Sequence, residues 1–283
     1  MKKLVVLLSI FIIGCSTKQQ NKVNLSSIEY LKFDLPKDLE ETSGIILNNG
    51  LLWTHNDSGN ESQLFNIDST GKIIQKITIT TAKNIDWEDI TAKNELITVG
   101  DFGNNFGTRK NLYLLELKLT DGKLNKHDSI PFFYPEQTSF LFNALTPFDA
   151  EAIININNKY LVFTKNRNTL TTEMYLIDKN LNRPIVAEYV ESLNVNSLIT
   201  GGDYNEDSKT LVLTSYSSGG YQYLIRIKNF SLQTLENIEI ENYGLDYKDA
   251  QIEAITIINE NEFWITSEET DSFEPFLAKI KIN

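Results

Sequence analysis

Glu88, Glu151 and Glu253 each stand two residues after a second acid or an amide, in Asp86-Trp87-Glu88, Asp149-Ala150-Glu151 and Gln251-Ile252-Glu253. Ser43 holds the same place in Glu41-Thr42-Ser43, and each of the four opens an apolar run. Alternate residues of a strand share a face, so each run carries its polar pair on one side. Brought around one axis, three glutamates about 6 Å apart repel by about 3 kcal/mol per pair at an effective dielectric near 20. Protons or a cation must relieve that load. Carboxylate and hydroxyl oxygens without histidine or thiolate select a hard ion, calcium first because a flexible oxygen ring suits it, with magnesium as the alternative. Capping of backbone N–H groups by the same glutamates is the competing reading. Lys165 and Arg167 are basic residues in an acidic setting; over the same cavity they suit a phosphate or carboxylate, unless they only pair with Asp149 and its neighbours.

The elements that must position these residues recur along the chain. Five opening strands, at 41–46, 86–91, 148–153, 200–205 and 251–256, are each followed by an apolar strand with a polar exit, at 51–60, 95–105, 160–168, 210–220 and 262–270. A third strand alternates aromatic and aliphatic residues; a fourth, less regular, follows at 72–80, 128–135, 183–190 and 233–240. β-branched and aromatic content, period-two alternation and Gly/Asn/Asp turns favour strands throughout. Four strands per unit at this period define an all-β fold, a single β-propeller of five blades with four antiparallel strands each. The last unit lacks a fourth strand, and 28–35 has the missing pattern, so an N-terminal strand is expected to close the ring. A sixth blade has room only between Tyr134 and Phe148.

Aligned by sequence, the ring column reads Ser43, Glu88, Glu151, Gly202 and Glu253, with Asp203 one residue out of register in the fourth unit. The layer above it reads Glu41, Asp86, Asp149, Thr200 and Gln251. The polar exits bring His55, Asp57, Asp101, Tyr216 and Glu268 towards the same mouth. Trp53, Trp87 and Trp264 read as core.

Residues 1–14 resemble a bacterial lipoprotein leader: Lys2 and Lys3, an apolar run too short to span a bilayer, then Gly14-Cys15. Lipidation at Cys15, a tether over 15–27 and a propeller over 28–283 are the expected organisation. The implied address is the bacterial cell envelope, on the outer membrane or the periplasmic face. Cys15 is the one cysteine, so the domain contains no disulfide. Loss of Lys2 and Lys3 takes the formal charge from −12 to −14. That acidity argues against a nucleic-acid polymer as partner. Two histidines, His55 and His127, make a histidine zinc site improbable.

The succession WTHNDSGN, DWED, DAEA, FTKNRN and QIEA with ITSEE resembles the calcium-activated nucleotidase (apyrase) propellers. It is also similar to uncharacterised bacterial propeller proteins with DWED, GDFGNN and DAEA motifs, and more loosely to esterase-like phytase propellers. The resemblance implies a calcium ring of Ser43, Glu88, Glu151 and Glu253, with Asp57, Lys165, Arg167 and Glu268 near a phosphate-ester substrate. Two functions follow as expectations: a calcium-dependent phosphohydrolase acting on a small anionic ligand, or a non-catalytic propeller whose rim binds a ligand or a protein. A Ser-His-Asp triad is disfavoured, since His55 is the one histidine near the mouth.

Overall fold

The computed structural model describes residues 22–23, 27–120, 123–233, 235 and 238–283; the leader, Cys15 and most of the tether lie outside the described residues. Five four-stranded antiparallel sheets surround one axis. Their inner strands are Thr42–Asn48, Trp87–Lys93, Ala150–Ile156, Leu198–Asn205 and Gln251–Asn259, which we number blades 1 to 5. No helix of the described residues is long and apolar enough to cross a membrane.

Each blade is buried on both faces, which explains why second strands such as Lys159–Thr164 read as nearly unbroken apolar runs. Alternate residues serve opposite neighbours. In blade 3, Leu161 and Phe163 pack towards blade 4, whereas Tyr160 and Val162 pack towards blade 2. Repeated around the ring, this gives one apolar cluster at every blade-to-blade contact. Trp53, Trp87 and Trp264 all lie within these clusters. Two of the tight hairpins are written in the sequence: Asn49-Gly50 and Asn157-Asn158 have positive φ at both positions, as a two-residue turn between right-twisting strands requires.

The ring closes as expected. Ile28–Asp34 pairs antiparallel with Phe276–Ile282 as the outer strand of blade 5, in register from Ile28 opposite Ile282 to Asp34 opposite Phe276. Lys22–Val23, within the expected tether, adds a short parallel strand to the outside of blade 4. The outer strands of blades 3 and 4 start later than their sequence pattern indicates, at Glu188–Asn194 and Glu239–Leu245. The intervening Ile185–Val186 pairs instead with Phe132–Phe133 of blade 2, because Ile185 and Ala187 bury their side chains there. Between Tyr134 and Phe148 no strand forms, so there are five blades.

All five inner strands carry a bulge at the same height. Pairing jumps from Thr42 to Gly44, Trp87 to Asp89, Ala150 to Ala152, Ile199 to Gly201 and Ile252 to Ala254. The extra residues are Ser43, Glu88, Glu151, Thr200 and Glu253. A bulge leaves one residue outside the ladder and re-aims its side chain. Here the repeat gathers one residue per blade at one end of the axis. In blade 4 the ring residue is therefore Thr200, not the expected Gly202. Sequence alignment followed the acidic Asp203; backbone register places the column two residues earlier.

Candidate functional site

The bulges open into a cavity of about 400 Å³ at the start of the inner strands. Ser43, Glu88, Glu151 and Glu253 line it from the ring. Asp57, Lys165, Arg167 and Glu268 line it from the ends of the second strands, together with Tyr216. Strand connectivity accounts for the convergence, since an inner strand's start and the next strand's end meet at one edge of an antiparallel pair.

The carboxylates are not evenly spread. Glu88, Asp149 and Glu151 bring oxygens within 4.8 Å of one another, and so do Asp57, Asp86 and Glu88; these acidic clusters could hold a metal ion. Glu253 belongs to neither group. Between it and Glu151 works the buried Lys165, whose Nζ lies 2.9 Å from Glu151 Oε1 and 5.5 Å from the Tyr216 ring centre. Arg167 donates to Asp149 Oδ2 and, at 2.7 Å, to Asn105 Oδ1. Asp149 Oδ1 also accepts the Asn104 N–H at 2.7 Å. Both basic residues thus pair with neighbouring acids while still facing the cavity. Glu88 is 6 % exposed, and its carboxylate pairs with no cation among the described residues. The two hydroxyl members of the ring turn to the next blade: Ser43 Oγ donates to Glu88 O at 2.6 Å and Thr200 Oγ1 to Ile252 O at 2.7 Å.

Burial with crowding by like charge shapes the electrostatics. Burial, then Glu151, Asp57 and Asp149, push the Glu88 carboxyl well above its ordinary range. Burial pushes Glu151 up as well, against the opposing pull of Lys165. Glu253 rises chiefly through burial. Asp57 is pushed up to about 7 by burial, with Asp86, Glu253 and Glu41 adding to it. Glu268 is pushed up to about 10 by burial and then by Glu253, Asp57 and Glu41. Burial disfavours the Lys165 ammonium, yet Glu151 and Glu253 leave it held more tightly than a free lysine.

Other expected rim residues sit elsewhere. His55 is wholly buried beneath the ring, edge-on to Trp87 at 5.6 Å, with Nδ1 3.1 Å from Asn56 O. Burial pushes its imidazole down to about 4, so it is a neutral core residue. Asp101 is buried in an ion pair with Arg109 Nη2 at 2.5 Å rather than on the cavity wall. Asp203 lies deeper along the axis, where Oδ2 accepts the Thr256 hydroxyl and the Ile257 N–H, both at 2.9 Å, and ties blade 4 to blade 5. Gly202 donates its N–H to Asp89 Oδ2 at 3.3 Å, and Ile153 donates to the same oxygen at 2.9 Å. Asp89 is therefore an inter-blade fastener; its signal was the second aspartate of DWED. Glu41 accepts from Asn60 at the cavity's edge. Asp86 faces Arg109 Nη1 at 3.7 Å.

Arg109, Gln222 and Asp249 were not singled out by sequence. Gln222 and Asp249 line the cavity from the blade 4 side. Arg109 follows the polar exit of blade 2 much as Arg167 follows that of blade 3, a parallel visible only once the blades are aligned. Gly103 has a steric role, since a Cβ there would lie 2.0 Å from Glu88 Oε1 and 2.6 Å from Asp86 Oδ2. Gly103→Ala is expected to push these two carboxyl ends aside and to lower the melting midpoint slightly, by about 1 kcal/mol, the low end of overpacking. An unchanged thermal transition would show that the acids give way freely.

No protein-family profile matches the chain, and no curated protein matches it, so the nucleotidase resemblance has no whole-sequence counterpart. Solved structures do match in shape. The soluble aldose sugar dehydrogenase of Escherichia coli, in apo form, aligns at 9% identity and TM-score 0.51, covering 90% of this chain and 100% of that one. A glucose dehydrogenase aligns at 8% identity and TM-score 0.51, covering 89% and 99%. The PQQ-bound aldose sugar dehydrogenase of Streptomyces coelicolor aligns at 9% identity and TM-score 0.48, covering 91% and 100%. At such identities the likeness to the first two shows the shared fold alone.

Proposed function

We propose that the cavity holds one calcium ion on Glu88, with Asp149 and Glu151 beside it, and hydrolyses a small phosphate ester. The observation that carries this is the buried Glu88 carboxylate, common to both acidic groups and paired with no cation among the described residues. Burial and crowding favour the protonated carboxyl unless a cation takes the proton's place, and an all-oxygen donor set fits calcium. When bound, the ion supplies positive charge and Lewis acidity towards a phosphoryl oxygen. Lys165 and Arg167 then hold the remaining phosphate oxygens, the fork of Arg167 being oriented by Asp149 and Asn105. Asp57, on the cavity wall within the Glu88 cluster, is placed to take a proton from the attacking water as that oxygen bonds to phosphorus and the ester P–O bond breaks. The leaving alcohol is protonated from solvent or from Glu268. The expected lipid anchor would place this activity at the cell envelope.

A specific observation supports a second reading. Lys165 and Arg167 already satisfy Glu151 and Asp149, which suits a rigid, non-catalytic binding propeller. Phosphate release from a panel of nucleotides and simple phosphoesters, with and without calcium, separates the two. Arg167→Ala is expected to lower turnover by roughly a hundred- to a thousandfold, the effect of losing one preorganised charge-stabilising donor. A wild type that takes up calcium and releases no phosphate from any member of the panel belongs to the binding class.

A further inference from the structure

The stretch between blades 2 and 3, with the loop at Phe106 beside it, exposes a group of large apolar side chains. Two polar side chains of this stretch face inward: Gln137 Nε2 donates to Gly107 O at 2.8 Å, and Thr146 lies buried beneath Gly107. Three of its apolar side chains face solvent, Leu141 81 %, Phe142 71 % and Leu145 54 % exposed, beside Phe106 of the blade 2 loop at 51 %. The cluster is held in place, with Phe142 stacked on Phe106 at 4.8 Å and the Asn143 N–H bonded to Phe106 O at 2.9 Å. Isolated exposed apolar residues need no explanation, but a stacked phenylalanine pair with Leu141 and Leu145 exposed in the same short segment marks a contact. It also adjoins the cavity directly: Asn105, the residue before Phe106, lines the wall and accepts from Arg167 at 2.7 Å.

We infer that Phe106, Leu141, Phe142 and Leu145 form an apolar subsite that receives the alkyl portion of an amphiphilic phosphate monoester whose phosphate reaches Lys165 and Arg167. This rests on the phosphohydrolase reading of the cavity and narrows its substrate class. Continuity selects the occupant, because one molecule can span clamp and patch only if it carries charge at one end and hydrocarbon at the other. Two leucines beside a phenylalanine pair already stacked on itself offer hydrocarbon contact with no hydrogen-bonding reader, which suits an aliphatic chain.

The test compares ethyl, butyl, hexyl and octyl phosphate with the calcium-supplied full chain, reading both kcat/KM and the Kd of each ester. The expected result is a rise of about two- to fourfold per methylene, the upper value being that of a fully buried CH₂. In the double variant Leu141→Ser/Phe142→Ser that dependence is expected to flatten; both side chains are exposed, and a melting curve confirms that the variant folds. Leu145→Ser is the second probe should the double variant misfold. A flat profile in the wild type, with ethyl phosphate turned over, overturns the subsite and leaves the hydrolase standing. No turnover of any ester, with octyl phosphate bound more tightly than ethyl phosphate only when the patch is intact, removes the hydrolase and keeps the subsite. Patch-dependent binding to phosphatidylcholine vesicles without any chain-length dependence assigns the cluster to bilayer adsorption and overturns the proposal.

Discussion

Removal of Ile28–Asp34 is expected to abolish cooperative folding of the whole domain. This strand supplies the entire outer ladder of blade 5 and joins the segment before blade 1 to the last blade. Ile28 and Tyr30 pack on the cluster between blades 4 and 5, and Phe33 on the one between blades 5 and 1. Without it, Phe276–Ile282 becomes an open edge and two of the five clusters lose part of their packing. Domains of this size are stable by only about 5–15 kcal/mol, so a loss spread over two clusters and a full ladder removes most or all of it. Circular dichroism on heating is the measurement. A truncated chain that melts in one transition within a few degrees of the wild type would show that the ring is not closed by this strand.

Glu88→Gln is expected to act in opposite directions on the two forms of the protein. In the calcium-free chain it removes a buried carboxylate from a crowd of acids, and about 1–3 kcal/mol of added stability is expected at pH 7. With calcium it removes the shared ligand, so the stabilisation of about 4 kcal/mol expected at a thousandfold excess over Kd disappears. The pH dependence follows from the raised carboxyls. Asp57 at about 7 and Glu268 at about 10, with Glu88, Glu151 and Glu253 also raised, hold protons in the folded chain that the unfolded chain releases near pH 4. The folded state then binds more protons, so stability falls as pH rises from about 4 through these folded values. The calcium-free melting midpoint is expected to decline between pH 5 and pH 8, and calcium is expected to flatten that decline. A midpoint that rises over this range contradicts the assigned charge states.

Most of the fold was legible because the propeller repeats its pattern: five openings, their apolar second strands and the orphan strand at 28–35 have one simple solution. Ser43, Glu88, Glu151 and Glu253 were legible for the same reason. Thr200 was not, because its place depends on a bulge in the backbone register, and the Gly-Gly-Asp that follows it directly in the same strand imitates the pattern better. His55, Asp101 and Asp203 were expected at the rim on sequence distance alone. Strand alternation and burial instead turn them into the core, against Arg109, or across to the next blade. That Glu253 stands outside the two tight acidic groups also escaped, since side-chain reach is not written in the strand pattern. The apolar cluster at Phe106 and Leu141–Leu145 lies in a stretch without periodicity, where sequence offers no guide to which side chains face outward.

Calorimetric titration of calcium into the chelator-treated wild-type chain at pH 7 tests the central reading most directly. One binding event per chain is expected, with a heat that changes with the ionisation enthalpy of the buffer, because entry of the ion releases protons held by the acidic ring. Glu88→Gln is expected to lose both the event and the proton release. A wild type that shows no heat and no shift in melting midpoint at millimolar calcium would mean that Lys165, Arg167 and bound protons alone neutralise the ring, and that the cavity is not a calcium site.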